Sequence, residues 1–258
     1  MTRPAIFITG AAAGIGRATA RLFAARGWCV GLYDIDSGGV ERLRAELGDA
    51  AVSGYLDVRD AAALTQALER FTAFSGGRLD VMFNNAGILA VGHFEDIALA
   101  RHHALVDVNL KGVINGCLAA LPHLRRTPGS RVINMSSASA IYGSPAYASY
   151  SATKFAVKGL TEALDIEWAR HGVRVMDVLP LFVNTAMVTD IEQPPSVGKL
   201  GVHLQAEDIA AVIWRAAHWN GRRRVHWYPG AQTRLLALVN KLAPAWLNRY
   251  TVKQVSGY

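Results

Sequence analysis

Tyr150-Ser151-Ala152-Thr153-Lys154 places a phenol and an ammonium four residues apart. On a helix that spacing puts both groups on one face. A fixed positive charge beside a phenol favours the phenolate and lowers a pKa that is ordinarily about 10. The pair therefore predicts a tyrosine that can take and give protons near neutral pH. A second pattern lies near the start of the chain, where Thr9-Gly10-Ala11-Ala12-Ala13-Gly14-Ile15-Gly16 follows a short β-rich run and precedes a helical one. Glycines at such a junction let the backbone turn tightly and approach a pyrophosphate, while the amides and dipole of the helix start favour its charge.

Asp34 stands eighteen positions after Gly16, at the end of the next predicted strand. A carboxylate there accepts hydrogen bonds from a ribose diol and repels a 2′-phosphate. Arg17 is the opposing signal, since a guanidinium can meet that phosphate. With Asp34 facing the ribose and Ala13 not basic, the balance predicts NAD rather than NADP. Asp57, followed by Val58, ends the third predicted strand and either bonds the adenine edge or simply forms a turn.

These groups need a frame. Short β-rich runs fall at 5–9, 29–33, 51–56, 81–83, 131–135, 174–179 and 225–227, and helical patterns fall at 15–25, 40–47, 61–74, 105–124 and 147–169. Gly27 stops the first helix, as glycine does beyond a helix end. Strands alternating with helices mean a parallel sheet covered on both faces. The expectation is one doubly wound α/β domain over residues 1–258, with a seven-stranded, mostly parallel sheet.

Composition bounds the function. Hydrophobic residues make up 51% of the 258 and charged ones 18%, a balance that excludes a disordered chain. The net charge of +7 raises a polyanionic partner, but the basic residues are scattered and no nucleic-acid module accompanies them. The dense run Arg222-Arg223-Arg224 reads as a solvated turn. Cys29 and Cys117 lack metal-ligand spacing and read as buried thiols in a reducing compartment, the cytoplasm. No metal site is expected. The first strand leaves no room for a signal peptide, and the longest apolar stretch, 175–188, is interrupted by Asp177, Pro180 and Asn184, so no membrane span is expected.

Taken together, Thr9-Gly10-x-x-x-Gly14-x-Gly16, Asn84-Asn85-Ala86-Gly87, Asn109, Ser137 and Tyr150-x-x-x-Lys154 resemble the short-chain dehydrogenases/reductases in order and spacing, over about the first 190 residues. The resemblance implies a Rossmann-type fold, a nicotinamide cofactor and a catalytic set of Asn109, Ser137, Tyr150 and Lys154. In that set Tyr150 is the general acid/base, Ser137 bonds the substrate oxygen, Lys154 holds the nicotinamide ribose, and the Asn109 carbonyl holds a water. Asn85-Ala86-Gly87 then lines the adenosine side of the cofactor. Pro180, Val183 and Thr185 follow the sixth strand, where Thr185 is placed to bond the carboxamide. One departure stands out: Leu181 follows Pro180 where the family usually has glycine.

The expected substrate pocket draws on Ile88, Leu89, Val91, Ile141, Tyr142, Tyr147, Leu181, Phe182, Met187 and Val188. This set is mostly apolar and favours an uncharged, hydrophobic alcohol or ketone. His93 either borders the pocket or lies on the surface. Residues 189–205, with Gln193-Pro194-Pro195, read as a lid. The tail at 231–258 mixes apolar, aromatic and cationic residues. It lies on a membrane surface, on a greasy ligand, on its own domain or on a second subunit. A homodimer or homotetramer through the helices around 109–123 and 147–169 is implied by the resemblance. Two rival readings are a 3-oxoacyl-thioester reductase using NADPH, with Arg125 and Arg126 docking an acidic carrier protein, and a non-enzymatic nucleotide sensor.

Overall fold

Alternate residues of the first strand, β1 (Ala5–Thr9), feed two different cores, as a sheet covered on both faces requires. Ile6 and Ile8 join one buried cluster and Ala5 and Phe7 the other. The computed structural model describes residues 3–189 and 195–258. Six further strands complete the sheet: β2 (Cys29–Asp34), β3 (Ala51–Tyr55), β4 (Val81–Asn84), β5 (Arg131–Met135), β6 (Arg174–Val178) and β7 (His226–Trp227). All seven are parallel, in the order β3-β2-β1-β4-β5-β6-β7. The strand order reverses between β1 and β4. In open α/β sheets such a switch point makes a crevice at the strand ends.

Helices α1 (Gly14–Ala25) and α2 (Ser37–Leu47) cover one face, where Phe23, Val40 and Leu43 are buried against Ile8 and Val30. Helix α3 (Ala61–Phe74) covers the other, with Leu64, Leu68 and Phe71 against Phe7. Asp36 and Asp60 cap α2 and α3 by accepting from Gly39 N and Ala63 N.

The single helix expected over 105–124 is longer and interrupted. Helix α4 (Leu99–Val106) runs into a π-helical turn over Asp107–Lys111 and then into α5 (Gly112–Leu124). This stretch has the length and hydropathy of a membrane-crossing helix. Its Val113, Cys117, Ala120 and Leu124 are nevertheless buried in the domain core, as in a core helix. Helix α6 (Ala148–Glu167) carries the Tyr/Lys pair.

The sequence reading passed over the short helices Ala186–Thr189 and Pro195–Leu200, the second within the expected lid, and one long helix. Helix α7 (Ala206–Ala217) packs its Ile209, Ile213 and Ala216 into the α1 face. Its signal was present, because Gln205 and Asp208 form a capping box at its start. The tail forms two helices, α8 (Gly230–Leu242) and α9 (Ala245–Ser256), with Pro244 at the corner. Nor is Arg222-Arg223-Arg224 wholly solvated. Arg223 pairs with the buried carboxylate of Asp165, and Arg224 stacks over Trp227 at 4.2 Å.

Candidate active site

The glycine turn is clamped to the exit of β4. Thr9 Oγ1 accepts from the backbone amides of Asn85 and Ala86, each at 3.1 Å. Asn85 Nδ2 donates back to the carbonyls of Thr9 and Gly10 at 3.0 and 2.9 Å. Gly10 has φ +67°, and a Cβ there would lie 2.9 Å from Ala86 Cα, so a side chain is excluded on two counts. At Gly16 a Cβ would come within 2.1 Å of the Gly10 carbonyl oxygen. Gly16 therefore serves helix-to-turn packing and does not line the cleft, whereas Gly10, Gly14 and Ile15 do.

Asp34 is oriented by the same turn. Its Oδ2 accepts from Ala12 N at 3.0 Å and its Oδ1 from Asp36 N at 3.1 Å. Arg17 is exposed and lines a separate groove with Arg21, Arg42 and Glu46. The Asp57 carboxylate is held by Arg59 through bonds of 2.5 to 2.9 Å, and that guanidinium keeps it below the usual carboxylate range. Asp57, Val58 and Arg59 form one edge of the cleft beside Ile35 and Leu56.

The cleft, ≈ 470 Å³, runs without interruption from Asp34 past Gly10–Gly14 and Ala86-Gly87 to Ser137, Tyr150 and Lys154. Ser137 leaves β5 as the cap of a short turn, its Oγ accepting from Ser139 N at 3.1 Å, and it stands near enough to the Tyr150 hydroxyl to favour the phenolate. Lys154 Nζ lies 5.5 Å from the centroid of the Tyr150 ring and donates to the Met135 carbonyl at 2.9 Å. Asn109 is fully buried within the π-helical turn. It bonds Ile88 on both sides, with Oδ1 accepting from Ile88 N at 2.8 Å and Nδ2 donating to Ile88 O at 2.9 Å, and it also reaches Thr153 Oγ1 at 3.3 Å. Asn109 thus anchors the strand exit that carries Gly87, whose own position lies 3.8 Å from Lys154 Nζ when a Cβ is placed there.

One sequence expectation is reversed. Burial pushes the Tyr150 hydroxyl up to about 12, with the neighbouring Ser137 hydroxyl pulling the other way. Burial also brings the Lys154 ammonium down to about 8. Withdrawal from water disfavours the charged form of each group. The ammonium faces a carbonyl dipole, so the protein alone does not tune the phenol toward neutrality.

The far end of the cleft is apolar. Ile88, Leu89, Ile141, Tyr142, Tyr147, Leu181, Phe182 and Met187 line it as expected, but Val91 does not. The Val188 side chain and residues 190–194, in the first part of the expected lid, lie outside the described residues. Leu181 needs no glycine-like freedom, because Ala146 is the one non-glycine residue at positive φ among the described residues. Pro180, Val183 and Thr185 line the cleft, and a Cβ on Gly14 would lie 3.2 Å from the Thr185 methyl.

The sequence model of the family described as short chain dehydrogenase matches residues 4–196. The chain belongs to this family. It is 37% identical over 214 residues to the 3-alpha-(or 20-beta)-hydroxysteroid dehydrogenase of Mycobacterium tuberculosis (strain ATCC 25618 / H37Rv), covering 78% of this chain and 82% of that protein. It is 36% identical over 207 residues to the oxidoreductase UcpA of Escherichia coli (strain K12), covering 76% and 78%. Among solved structures, the 3-ketoacyl-(acyl-carrier-protein) reductase from Brucella melitensis complexed with NADH superposes with a TM-score of 0.78 at 29% identity, over 87% of this chain and 96% of that one. The protein is an NAD(P)-dependent oxidoreductase of the short-chain dehydrogenase/reductase family.

This short-chain dehydrogenase/reductase has a wall that the sequence motifs did not announce. Leu236, Val239 and Asn240 of α8, with Asn248, Val252 and Val255 of α9, close the apolar end of the cleft. Asn248 Nδ2 ties the two helices by donating to the carbonyls of Asn240 at 3.0 Å and Ala243 at 3.3 Å. The inward spacing 252, 255 and 236, 239 was readable as helical periodicity, but its target was not. His93 does not line the cleft, and its Nδ1 instead meets the Tyr258 hydroxyl at 3.1 Å. Among the described residues no cluster of His, Cys, Asp and Glu could hold a metal.

Proposed function

We propose that this protein moves a hydride between NAD and a hydrophobic secondary alcohol or ketone, with Tyr150 as general acid/base. The observation that carries this reading is that Ser137, Tyr150 and Lys154 stand together in one cleft at the foot of an apolar chamber. A nicotinamide, when bound, supplies the hydride donor or acceptor. The residues present fit such a dinucleotide: the clamped turn has no side chain at Gly10 and Gly14, which line the cleft, and that one cleft joins Asp34 to Lys154. Gly10, Gly14 and Ile15 would hold the pyrophosphate, Asp34 a ribose diol, and Lys154 the second ribose.

In this reading Ser137 and Tyr150 hold the substrate oxygen between two hydroxyls. Tyr150 accepts the alcohol proton in oxidation and returns it to the ketone oxygen in reduction. Ser137 steadies the charge that develops there. Asn109 acts through Ile88 and Thr153 as a positioning residue. NAD is favoured because Asp34 stands in the cleft while Arg17 lines another groove. The chamber walls favour a fatty, aromatic or steroid-like skeleton over a small acid. Leu99, Val106, Leu118, Phe155 and Ile166 are exposed on α4, α5 and α6, which supports a homodimer or homotetramer through those helices. Buried free Cys29 and Cys117 fit a reducing, cytoplasmic setting.

The rival thioester reductase is less well supported. Arg125 and Arg126 follow α5 before the start of β5, whereas Ser137 and the cleft lie past its other end, so a carrier docked on them would not deliver into the cleft.

The test is a panel of aliphatic, aromatic and steroidal alcohols and ketones read by nicotinamide absorbance with both cofactors. Tyr150→Phe should lower turnover by about 10²–10⁴-fold with cofactor affinity kept. Undiminished turnover would remove Tyr150 from the chemistry, and tight NADPH with poor NADH binding would overturn the cofactor assignment.

A further inference from the structure

The charge of this protein is unevenly placed. From Ile209 to Tyr258 the chain has eight Lys and Arg residues and no Asp or Glu, whereas the first 208 residues hold 19 basic and 20 acidic side chains. Four of those eight cations, Arg234, Lys241, Arg249 and Lys253, lie on α8 and α9 and are exposed. Between them stand large apolar side chains that nothing in the fold covers. Leu235 is 61% exposed, Leu238 55%, Leu242 74%, Trp246 70% and Tyr250 58%. Leu235, Leu238 and Leu242 recur at helical spacing on α8, and Trp246 and Tyr250 lie four apart on α9. None of the five lines the cleft. The two helices are therefore apolar on both sides, inward to the substrate chamber and outward to solvent. Apolar patches of this kind on a folded surface mark an interaction site.

We infer that the outer face of α8 and α9 docks on an anionic lipid surface. Leucines and aromatics that enter the headgroup boundary, flanked by cations that meet anionic lipid, make the pattern of an interfacial amphipathic helix. A second copy of the chain fits this face poorly. A two-fold interface sets a patch against itself, which would bring a cationic, acid-free surface against its own like charges. Docking is independent of the redox reading. Entry of a membrane-dissolved alcohol or ketone through the same helices, whose inner sides are Leu236, Val239, Val252 and Val255, rests on that reading.

The experiment is vesicle co-sedimentation of the full chain, beside analytical ultracentrifugation without lipid. Vesicles of equal parts phosphatidylcholine and phosphatidylglycerol are compared with vesicles of phosphatidylcholine alone. The protein should partition into the anionic vesicles at least tenfold better, with the difference shrinking as salt rises. Arg234→Gln with Lys241→Gln should weaken partitioning by roughly fivefold per charge. Leu238→Glu with Trp246→Glu should abolish it while preserving cofactor binding and particle mass. Failure to sediment with anionic vesicles, equal binding to both compositions, or full binding by either double variant overturns the proposal. So does a fall in particle mass caused by the glutamates, which would assign the face to a second copy. Tyr150→Phe protein should bind vesicles as the parent does, so a failed redox assignment and a failed docking assignment are told apart.

Discussion

Lys154 Nζ donates to the main-chain carbonyl of Met135 at 2.9 Å, so the ammonium predicted to tune Tyr150 is fastened to the end of β5. The bond fixes where the cation stands relative to the strand that delivers Ser137 two residues later. It also leaves a charge out of water, which is why Lys154 titrates at about 8. Replacing it should separate stability from function. Lys154→Met removes a disfavoured ammonium at neutral pH, against the loss of one hydrogen bond worth about 1 kcal/mol. We expect the variant to be about 2 kcal/mol more stable in urea unfolding at pH 7, and at least 10²-fold less active. The gap between the two proteins should narrow as pH rises from about 8 toward the unfolded lysine value. The buried lysine carries fewer protons than the unfolded one in that window, so the parent gains stability there.

The high value at Tyr150 sets a direction. A phenol held near 12 is protonated at neutral pH and is ready to give its proton. Ketone reduction should therefore be supported at pH 7, while alcohol oxidation should climb steadily as pH is raised from 7 to 10. Initial rates in both directions across that range check this. Oxidation that levels off below pH 8 would show that another group lowers the phenol in the working complex.

Asp34 is the residue on which cofactor choice turns. Asp34→Ala removes a carboxylate held by the amides of Ala12 and Asp36. We expect kcat/KM with NAD to fall at least tenfold and the NAD-to-NADP ratio to drop by more, as measured on a common substrate. Unaltered preference would place discrimination elsewhere.

Ala146 occupies the left-handed region at φ 66°, just before Tyr147 and the start of α6. A Cβ there costs about 1 kcal/mol that glycine would not incur. Its carbonyl accepts from Gly92 N at 3.1 Å, which holds the conformation. Ala146→Gly should raise stability by up to about 1 kcal/mol in urea unfolding. A destabilised variant would show that the alanine methyl matters more than the strain.

Beyond the active site, His226 bridges the carboxylates of Asp177 at 2.8 Å and Glu162 at 2.9 Å. Burial alone would lower its pKa, but the bond and charge of Asp177 outweigh that and raise it. A raised histidine adds stability that is fully present below its unfolded pKa and is lost as pH rises through the folded one. Melting temperatures of the parent and His226→Gln should accordingly differ most below the ordinary histidine value of about 6.5 and converge as pH rises through the raised folded value. A difference constant with pH would assign His226 to shape alone.

Most of the frame was legible because periodicity is local. The runs at 5–9 and 131–135 became β1 and β5 with unchanged ends, since each is a short β-rich run closed by turn chemistry. Gly10 and Gly14 declared themselves because each answers to a positive φ. The pairing of Tyr150 with Lys154 and the choice of Asp34 likewise needed only spacing along the chain. Tertiary structure decided what depends on burial and on distant neighbours. It turned the side chain of Asn85 onto the glycine turn, it placed Asn109 in a π-helical break that no pattern in the sequence marks, and it moved the Tyr150 phenol up instead of down. Desolvation is a property of everything packed around a group, so a four-residue spacing cannot report it. The same holds for the tail, where the residues of α8 and α9 revealed that they are amphipathic, and only the folded chain showed which of their two apolar sides faces the cleft.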